Sequence, residues 1–263
     1  MNSFRHSLNV RARVIRALIL REVTTRYGDS KLGFFWALIE PATFLLVFVM
    51  IFSIIGRSSP LPGDLYTFFL SGLIPFLMFR SISSAIGNAE SANKALLVYP
   101  QVTTIDIKVA RTIIEFLVTL FVATLTFFAL YETGYILAPI DDTFQLLLCL
   151  LLLLVFSFGF GLIIAGIIAF WPNFQKLFQP LTTRPLFLLS GIFFIPEQIP
   201  APYNEWVAYN PLTQFIAWSR SSVYPNFDST YGFNWNLVVI TIALLVAGLA
   251  LEKVTLRRKM ALR

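Results

Sequence analysis

The feature that most constrains this chain is a long apolar run that begins directly after a basic segment near the N-terminus. Residues 20–41 read LREVTTRYGDSKLGFFWALIEP, and the apolar run continues as far as Ile55. A helix over residues 32–55 would be about 36 Å long, which exceeds the roughly 30 Å hydrocarbon core of a bilayer. We therefore predict a first membrane span at 32–55, in preference to a soluble amphipathic helix followed by a buried one.

A cluster of basic residues precedes a cluster of aromatic residues at the start of this run. Arg21 and Arg26 belong to the basic cluster. The aromatic cluster comprises Phe34, Phe35 and Trp36. This order is typical of a helix that enters the bilayer from the cytoplasmic side.

Residues 1–31 are predicted to form a cytoplasmic interface segment. Val10 and Val14 recur at helical spacing, with Arg13 and Arg16 on the opposite side. This pattern predicts a helix that lies along the membrane surface or against a protein partner. No apolar stretch with a cleavage site follows the arginines, so we expect this segment to be retained.

Five further apolar segments follow the first, which predicts an all-α integral membrane protein in one domain over residues 1–263. The predicted spans are 32–55, 66–87, 109–130, 144–170, 180–195 and 233–251. The fifth is short, and Arg184-Pro185 and Gly191 interrupt it. We predict short interfacial or re-entrant helices on the outer face over 196–231, and a cytoplasmic tail at 252–263.

Composition and charge support this arrangement and set its orientation. Apolar residues make up 57% of the chain and charged residues only 13%, whereas soluble domains carry about a quarter charged residues. The segments that six spans place on one side hold 17 of the 20 Lys and Arg residues. The opposite loops carry acids such as Asp64, Glu132 and Asp142. Because basic loops stay in the cytoplasm, we predict that both termini are cytoplasmic, and that the net charge of +6 does not indicate a nucleic-acid partner.

Several classes of chemistry are excluded by what the chain contains. Its one cysteine, Cys149, excludes a disulfide within the chain, and His6 is the one histidine. Without an internal histidine we expect neither a catalytic triad nor a metal site. No Gly-Lys dipeptide occurs, so a phosphate-binding loop is excluded and any ATP hydrolysis belongs to a partner. We therefore expect a transport subunit and not an enzyme.

Two local patterns refine this picture. Small residues recur every fourth position at Ser157, Gly161, Ala165 and Ala169. Such a stripe permits close helix packing, either within the subunit or at a dimer seam. Elsewhere, Asn210-Pro211 is typical of the start of a helix, so we predict a short helix in the outer segment.

Three segments resemble the membrane subunit of ABC-2 type exporters, in particular the capsular-polysaccharide permeases of the KpsM type. They are residues 20–41, SGLIPFLMF at 71–79 and YNPLTQF at 209–215. The resemblance implies a homodimer of this chain with two separate ATPase subunits, which would bind the ATP and Mg²⁺. It also implies outward movement of a lipid-linked polysaccharide across the bacterial inner membrane, and a periplasmic export partner in a cell with an outer membrane.

The same resemblance suggests two groups of functional residues. The N-terminal helix and an inner loop at 89–99 match the family's contacts with the ATPase. The residues implied in coupling are Arg21, Arg26, Glu90, Lys94, Leu96 and Leu97. The residues implied in lining the conduit, on the first and fifth spans, are Phe34, Phe35, Trp36, Arg184, Phe187 and Phe193.

Other functions remain open from sequence. A related exporter of O-antigen or teichoic-acid chains has the same architecture and entry motif. A small-molecule or drug exporter of the superfamily and a stand-alone channel, secondary transporter or intramembrane enzyme are further alternatives. Neighbouring open reading frames discriminate them: an ATPase with glycosyltransferases favours polysaccharide, an ATPase alone favours small molecules, and no ATPase favours the rest.

Overall fold

The secondary structure of the described residues is entirely helical. A computed structural model describes residues 2–27, 33–56, 58–99, 101–136, 140–178, 180 and 184–261. The helices are α1 Asn2–Tyr27, α2 Gly33–Ile54, α3 Leu65–Gly87, α4 Ala89–Ala92, α5 Thr104–Glu132, α6 Thr143–Phe170, α7 Phe174–Phe178, α8 Arg184–Leu189, α9 Tyr203–Ala208, α10 Pro211–Val223 and α11 Trp235–Ala261. Two 3-10 turns lie at Leu96–Val98 and Pro196–Gln198.

Four of these helices are long and apolar enough to cross a bilayer. They are α3, α5, α6 and the Trp235–Arg258 part of α11. A shorter apolar stretch, Ala42–Ile54, belongs to α2, whose bounds nearly coincide with the predicted first span. The all-helical membrane class is therefore confirmed for the described residues, while the count of six spans stays a prediction.

Two long helices extend beyond their predicted spans. The helix α5 starts at Thr104, before the predicted residue 109, because Thr103 and Asp106 form a capping box. The Thr103 side chain accepts from the Asp106 amide, and the Asp106 carboxylate accepts from the Thr103 amide, so two otherwise unpaired donors are satisfied. At the other end of the chain, α11 continues to Ala261, so the predicted tail at 252–263 is helical as far as it is described.

The fifth predicted span, 180–195, contains the six-residue helix α8 in its described part. A helix of this length rises about 9 Å, which is far short of the hydrocarbon core. Beyond α8 the chain turns through residues 190–195, where Gly191 adopts a φ of +79°. Glycine tolerates this left-handed conformation because it lacks a Cβ. The interruption expected at Gly191 is thus confirmed.

Short helices follow this turn, as predicted, while their interfacial or re-entrant placement on the outer face stays a prediction. Asn210 caps α10 by accepting a hydrogen bond from the Leu212 amide at 3.1 Å, and Pro211 is the first helical residue. Leu212, Phe215 and Ile216 of α10 are buried. The helix α10 packs against both α3 and α6, so it belongs to the core of the fold.

The helix α6 lies between α3 and α11 and packs extensively against both. Small residues permit these contacts. A Cβ added at Gly159 would lie 2.7 Å from the Leu245 amide nitrogen on α11, and one at Gly161 would lie 2.8 Å from Cδ1 of Ile86 on α3. Ser157, Gly161 and Ala165 are buried in the same way. The small-residue stripe therefore packs within the subunit, as the first of its two interpretations predicted.

Pro75 interrupts the hydrogen bonding of α3, and α10 compensates for it. Proline has no N–H, so the carbonyl oxygen of Ser71 loses its intrahelical donor. The Ser219 hydroxyl of α10 donates to this oxygen at 3.0 Å. Neighbouring side chains make proline tolerable in membrane helices in this manner.

Arg220, the next residue of α10, satisfies the backbone of the turn after α8. Its guanidinium donates to the carbonyl oxygens of Gly191 at 2.6 Å, Ile192 at 2.9 Å and Phe194 at 2.9 Å. Arg220 is 1% exposed, and its guanidinium carbon lies 4.0 Å from the centroid of the Phe68 ring. The sequence analysis places Arg220 within the outer-face segment 196–231. The structure shows that its side chain is buried, where it connects α10 to α3 and to the turn.

We expect Arg220→Met to destabilise the protein by about 3 kcal/mol or more, because three buried carbonyl groups would lose charge-assisted hydrogen bonds. The measurement is the melting temperature of purified protein in detergent, read as loss of the monodisperse size-exclusion peak. The melting temperature of Arg220→Lys should lie between those of the wild type and Arg220→Met, since one ammonium group reaches fewer acceptors than a guanidinium. Arg257→Met, at an exposed position of α11, is the control. Equal melting temperatures for Arg220→Met and Arg257→Met would contradict this role.

Candidate functional site

The predicted coupling loop forms a compact structure on the surface of α1 and α5. We call residues 89–99 the coupling segment; it contains α4 and the 3-10 turn Leu96–Val98. Leu96 and Leu97 pack against an apolar cluster formed by Leu18 of α1 and Ile107 of α5. The two leucines that were predicted to meet an ATPase are therefore partly used for packing within the chain.

A buried ionic network joins the coupling segment to α5 and α11. Nζ of Lys108 lies 3.0 Å from Oε1 of Glu90 and 2.5 Å from Oε2 of Glu252. The Thr104 hydroxyl donates to Oε1 of Glu252 at 2.5 Å. Lys108 is 0% exposed and Glu252 is 4% exposed. Removing one member of such a network leaves an uncompensated charge out of water, so the three elements are held together strongly.

A second set of polar contacts joins the coupling segment and α5 to α1. Nη2 of Arg111 lies 3.0 Å from Oε1 of Glu22, and its Nη1 donates to the carbonyl oxygen of Ala85 at 3.2 Å. Arg21 donates to Oδ1 of Asn93 at 3.3 Å. Through these contacts α1, α3, α5 and the coupling segment form one connected unit.

These contacts assign different positions to the predicted coupling residues. Arg21 and Glu90 bind groups inside the chain, whereas Lys94 is exposed. The Arg26 side chain lies outside the described residues. Sequence reasoning included Val98 and Tyr99 in the loop at 89–99 but did not single them out; they are 79% and 62% exposed at the end of the segment. The sequence signal that could have identified them is an apolar pair directly before Pro100 in an otherwise polar loop.

The predicted conduit residues Phe187 and Phe193 belong to a cluster of six phenylalanines. We call this set the aromatic cluster: Phe44 and Phe48 of α2, Phe69 and Phe76 of α3, Phe187 of α8, and Phe193. Phe187 and Phe193 lie 5.2 Å apart between ring centroids, and Phe48 lies 4.8 Å from Phe193. The pairs made by Phe187 and Phe193 are tilted or edge-to-face, whereas Phe44–Phe48 and Phe48–Phe69 are stacked; aromatic quadrupoles favour edge-to-face and offset-stacked pairs.

Four members of the aromatic cluster retain partial exposure. Phe69 and Phe76 are buried, whereas the members on α2 and α8 and in the turn are half-buried. Phe44 and Phe48 are four residues apart on one face of α2, so helical spacing was the signal for them. The guanidinium carbon of Arg80 lies 5.9 Å from the Phe44 centroid. The cluster thus presents ring surface, with one cation beside it, where α2, α3 and α8 meet.

The remaining predicted conduit residues are not joined to this cluster by described contacts. Arg184 is exposed at the first position of α8. The side chains of Phe34, Phe35 and Trp36 lie outside the described residues. Within the part of the chain that is described, no group of three His, Cys, Asp or Glu side chains is placed to hold a metal ion.

Comparison with known proteins agrees with this architecture. The family model of the ABC-2 type transporter matches residues 13–224. The polysialic acid transport protein KpsM of Escherichia coli is 35% identical over 250 residues, which cover 95% of this chain and 96% of KpsM.

Two further relatives carry names from capsule export. The capsule polysaccharide export inner-membrane protein BexB of Haemophilus influenzae is 31% identical over 95% of this chain and 94% of its own length. The corresponding protein CtrC of Neisseria meningitidis serogroup A is 30% identical over 94% of this chain and 93% of its own length. With a family match over most of its length and relatives above 30% identity along nearly the whole chain, this protein belongs to the ABC-2 type transporter family.

Proposed function

We propose that this chain is the membrane subunit of an ATP-driven exporter that moves lipid-linked capsular polysaccharide outward across the bacterial inner membrane. The observation that carries this proposal is the similarity along nearly the whole chain to proteins named for polysialic acid transport and capsule polysaccharide export. An O-antigen or teichoic-acid chain is the alternative substrate. No nucleotide-binding loop occurs in the sequence, so a separate ATPase supplies the energy.

The proposed assembly is a homodimer of this chain with two ATPase subunits on the cytoplasmic side. A periplasmic export partner would contact the outer helices α9 and α10. Six spans and cytoplasmic termini are part of the proposal. The charge distribution supports this orientation, since one end of the long helices carries Lys108 and Arg111 and the other end carries Asp64 and Asp142.

We expect single cysteines at Asp141 and Tyr203 to react with a membrane-impermeant thiol reagent in intact cells. A cysteine at Ser91 should react only after the membrane is permeabilised, because the coupling segment faces the cytoplasm in this scheme. All three positions are exposed, so accessibility within the fold is matched. Labelling at Ser91 in intact cells without labelling at Asp141 and Tyr203 would show the inverted topology.

In the proposed coupling mechanism, the ATPase pushes on the exposed end of the coupling segment. Val98 and Tyr99 form the contact, because burial of exposed apolar side chains against a partner is favourable. Glu90 and Arg21 lie on the side of the segment that faces the rest of the chain, and they attach it to α5 and α1. Through Lys108 and Glu252 the displacement would reach α11 as well, so that several membrane helices move together.

We expect Val98→Asp and Tyr99→Asp to reduce co-purification with the ATPase, because a carboxylate would have to be desolvated at the contact. Membrane insertion and the melting temperature of the isolated subunit should stay unchanged, since both side chains are exposed. Val98→Leu keeps the apolar contact and is the matched control. Leu96→Asp and Leu97→Asp should in addition lower the melting temperature, because they disturb packing on Leu18 and Ile107. Full ATPase association in the Val98→Asp and Tyr99→Asp variants would exclude this contact.

In the proposed conduit, a long glycan slides over ring surfaces that include the aromatic cluster. A sliding polymer needs many weak contacts of similar strength, because one strong site would trap it. The half-buried rings of Phe44, Phe48, Phe187 and Phe193 can provide such weak contacts, since flat apolar ring faces stack on sugar rings. Arg184 is a separate candidate as an electrostatic guide for an acidic polymer.

The function is tested by deleting the gene and restoring it with variants of the conduit. We expect deletion to abolish surface capsule and to leave the polymer inside the cell, while the O-antigen ladder is unaffected. Phe44→Leu and Phe187→Leu should reduce surface capsule by about 2- to 10-fold each, since one aromatic contact is worth about 0.5–1.5 kcal/mol. Leucine keeps most of the apolar volume, so membrane levels should remain normal. Phe128→Leu, on an exposed face of α5, should have no effect.

The same assay distinguishes a sliding surface from one discrete anion site. Arg184→Ala should impair export of an acidic polymer more than Arg184→Lys, and both effects should be graded. If every phenylalanine variant were silent and Arg184→Ala alone abolished export at normal protein levels, the sliding surface would be excluded. Normal capsule with a lost O-antigen ladder after deletion would instead assign the alternative substrate.

A further inference from the structure

A cavity lies between α3, α5, α6 and α10, and none of its lining residues belongs to the aromatic cluster or the coupling segment. Its volume is about 420 Å³, within the range of pockets that hold small molecules. Leu70 and Ile74 of α3 and Val223 of α10 form its floor and are buried. Its remaining walls come from α5, α6 and Ile140, and from further residues of α3 and α10.

The cavity opens sideways, through the gap between α5 and α6. These two helices contact each other little, although each packs against α3. Thr124 of α5 and Thr143 and Leu147 of α6 also line the cavity, and all three are exposed. The exposed side chains therefore mark its mouth, between the two helices and opposite the floor on α3.

The surface beside the mouth is apolar. Phe128 on α5 is 58% exposed, and Leu148 on α6 is 43% exposed. Both helices have the length and apolar character of membrane spans. A mouth on this surface opens into lipid rather than into water, so the cavity is most readily filled from the bilayer.

Recognition inside the cavity can only be apolar over most of its wall. None of its lining residues is charged. Three of its hydroxyl groups already donate within the chain: Thr67 to Asp64, Ser71 to the Phe68 carbonyl and Ser219 to the Ser71 carbonyl. A ligand with several polar groups would leave most of them without partners, which is costly. A hydrocarbon chain carries no such cost.

Most of the cavity lies in one leaflet, and on α5 it reaches Leu120, near the middle of the predicted span 109–130. On α6 it extends from Thr143, the first residue of the helix, to Leu150, which is a rise of about 10 Å against a hydrocarbon half-thickness of about 15 Å. The adjoining helix caps are Asp64 and Asp142. By the positive-inside rule, this end of the helices lies away from the cytoplasm, because the basic residues Lys108 and Arg111 lie at the opposite end.

We propose that this cavity is a binding site for the acyl chain of an outer-leaflet phospholipid. The lipid enters between α5 and α6, and its chain contacts the floor where Pro75 interrupts α3 and Ser219 of α10 compensates for the interruption. Bound lipid thereby fills the space beside the helix that holds Arg220. The occupant is a bilayer phospholipid, so binding requires neither polysaccharide nor ATPase.

The test uses the full chain in vesicles made of phospholipid with a photoactivatable diazirine on the acyl chain, with no glycan and no ATPase present. After irradiation, labelled peptides are identified by mass spectrometry. We expect adducts on Leu70 and Ile74, although both side chains are buried, in addition to adducts on the exposed Phe128 and Leu148. Absence of adducts on Leu70 and Ile74 overturns the proposal, whether the cavity is empty or covered by a second copy of this chain.

Two variants make the result specific to the cavity. Ala123 lines it, so Ala123→Trp should fill it and reduce labelling of the α3 floor about tenfold, which corresponds to about 1.4 kcal/mol. Ala129→Trp is the matched control, the same change on an exposed position of α5, and it should leave floor labelling unchanged. Ala123→Phe is the substitute if the larger side chain prevents folding. The proposal is also overturned if a folded Ala123 variant and the wild type show equal labelling of Leu70 and Ile74. Neither of these negative results would bear on the proposed exporter function.

Discussion

Buried backbone groups that lack helical partners are the constraint on which this structure depends. The turn after α8 and the carbonyl released by Pro75 would each be costly in apolar surroundings, since no water is available there. One helix, α10, resolves both, because Arg220 donates to three carbonyl oxygens of the turn and Ser219 donates to the carbonyl of Ser71. This helix is too short to span the membrane, yet it allows the irregular segments to exist within the helical core.

The opposite end of the long helices is held together by paired side-chain charges. Lys108 is buried between Glu90 and Glu252, so the coupling segment, α5 and α11 are attached at one point. In the proposed coupling mechanism, this attachment would let the segment transmit displacement to the membrane helices. The exposed apolar side chains Val98 and Tyr99 lie on the same segment, which places the proposed partner contact next to the attachment. The aromatic cluster, which includes rings on α2, α3 and α8, is then connected to this region through α3.

Much of this architecture follows from local patterns. Apolar runs of membrane length identified α3, α5, α6 and α11, because hydrocarbon thickness sets a minimum length. Asn210-Pro211 identified the start of α10, and Gly191 identified the interruption of the fifth apolar segment. Phe187 and Phe193 were selected by resemblance and do share one cluster. Phe44 and Phe48 have helical spacing but were not singled out, because the continuous apolar run around them hides which face of α2 is internal.

The sequence by itself determined the membrane class, the segments that form long helices, the asymmetry of charge and the family, because each depends on composition, length or motif along the chain. Only the tertiary structure decided which groups the buried charged side chains bind and where a cavity forms between the helices. Lys108 and Glu252 are 144 residues apart, and Arg220 is 28 residues from Ile192. No periodicity relates such positions, since their contact arises only when α5 meets α11 and α10 meets the turn. The cavity beside Ala123 likewise exists because α5 and α6 both pack on α3 and little on each other, which is a property of helix packing and not of any one segment.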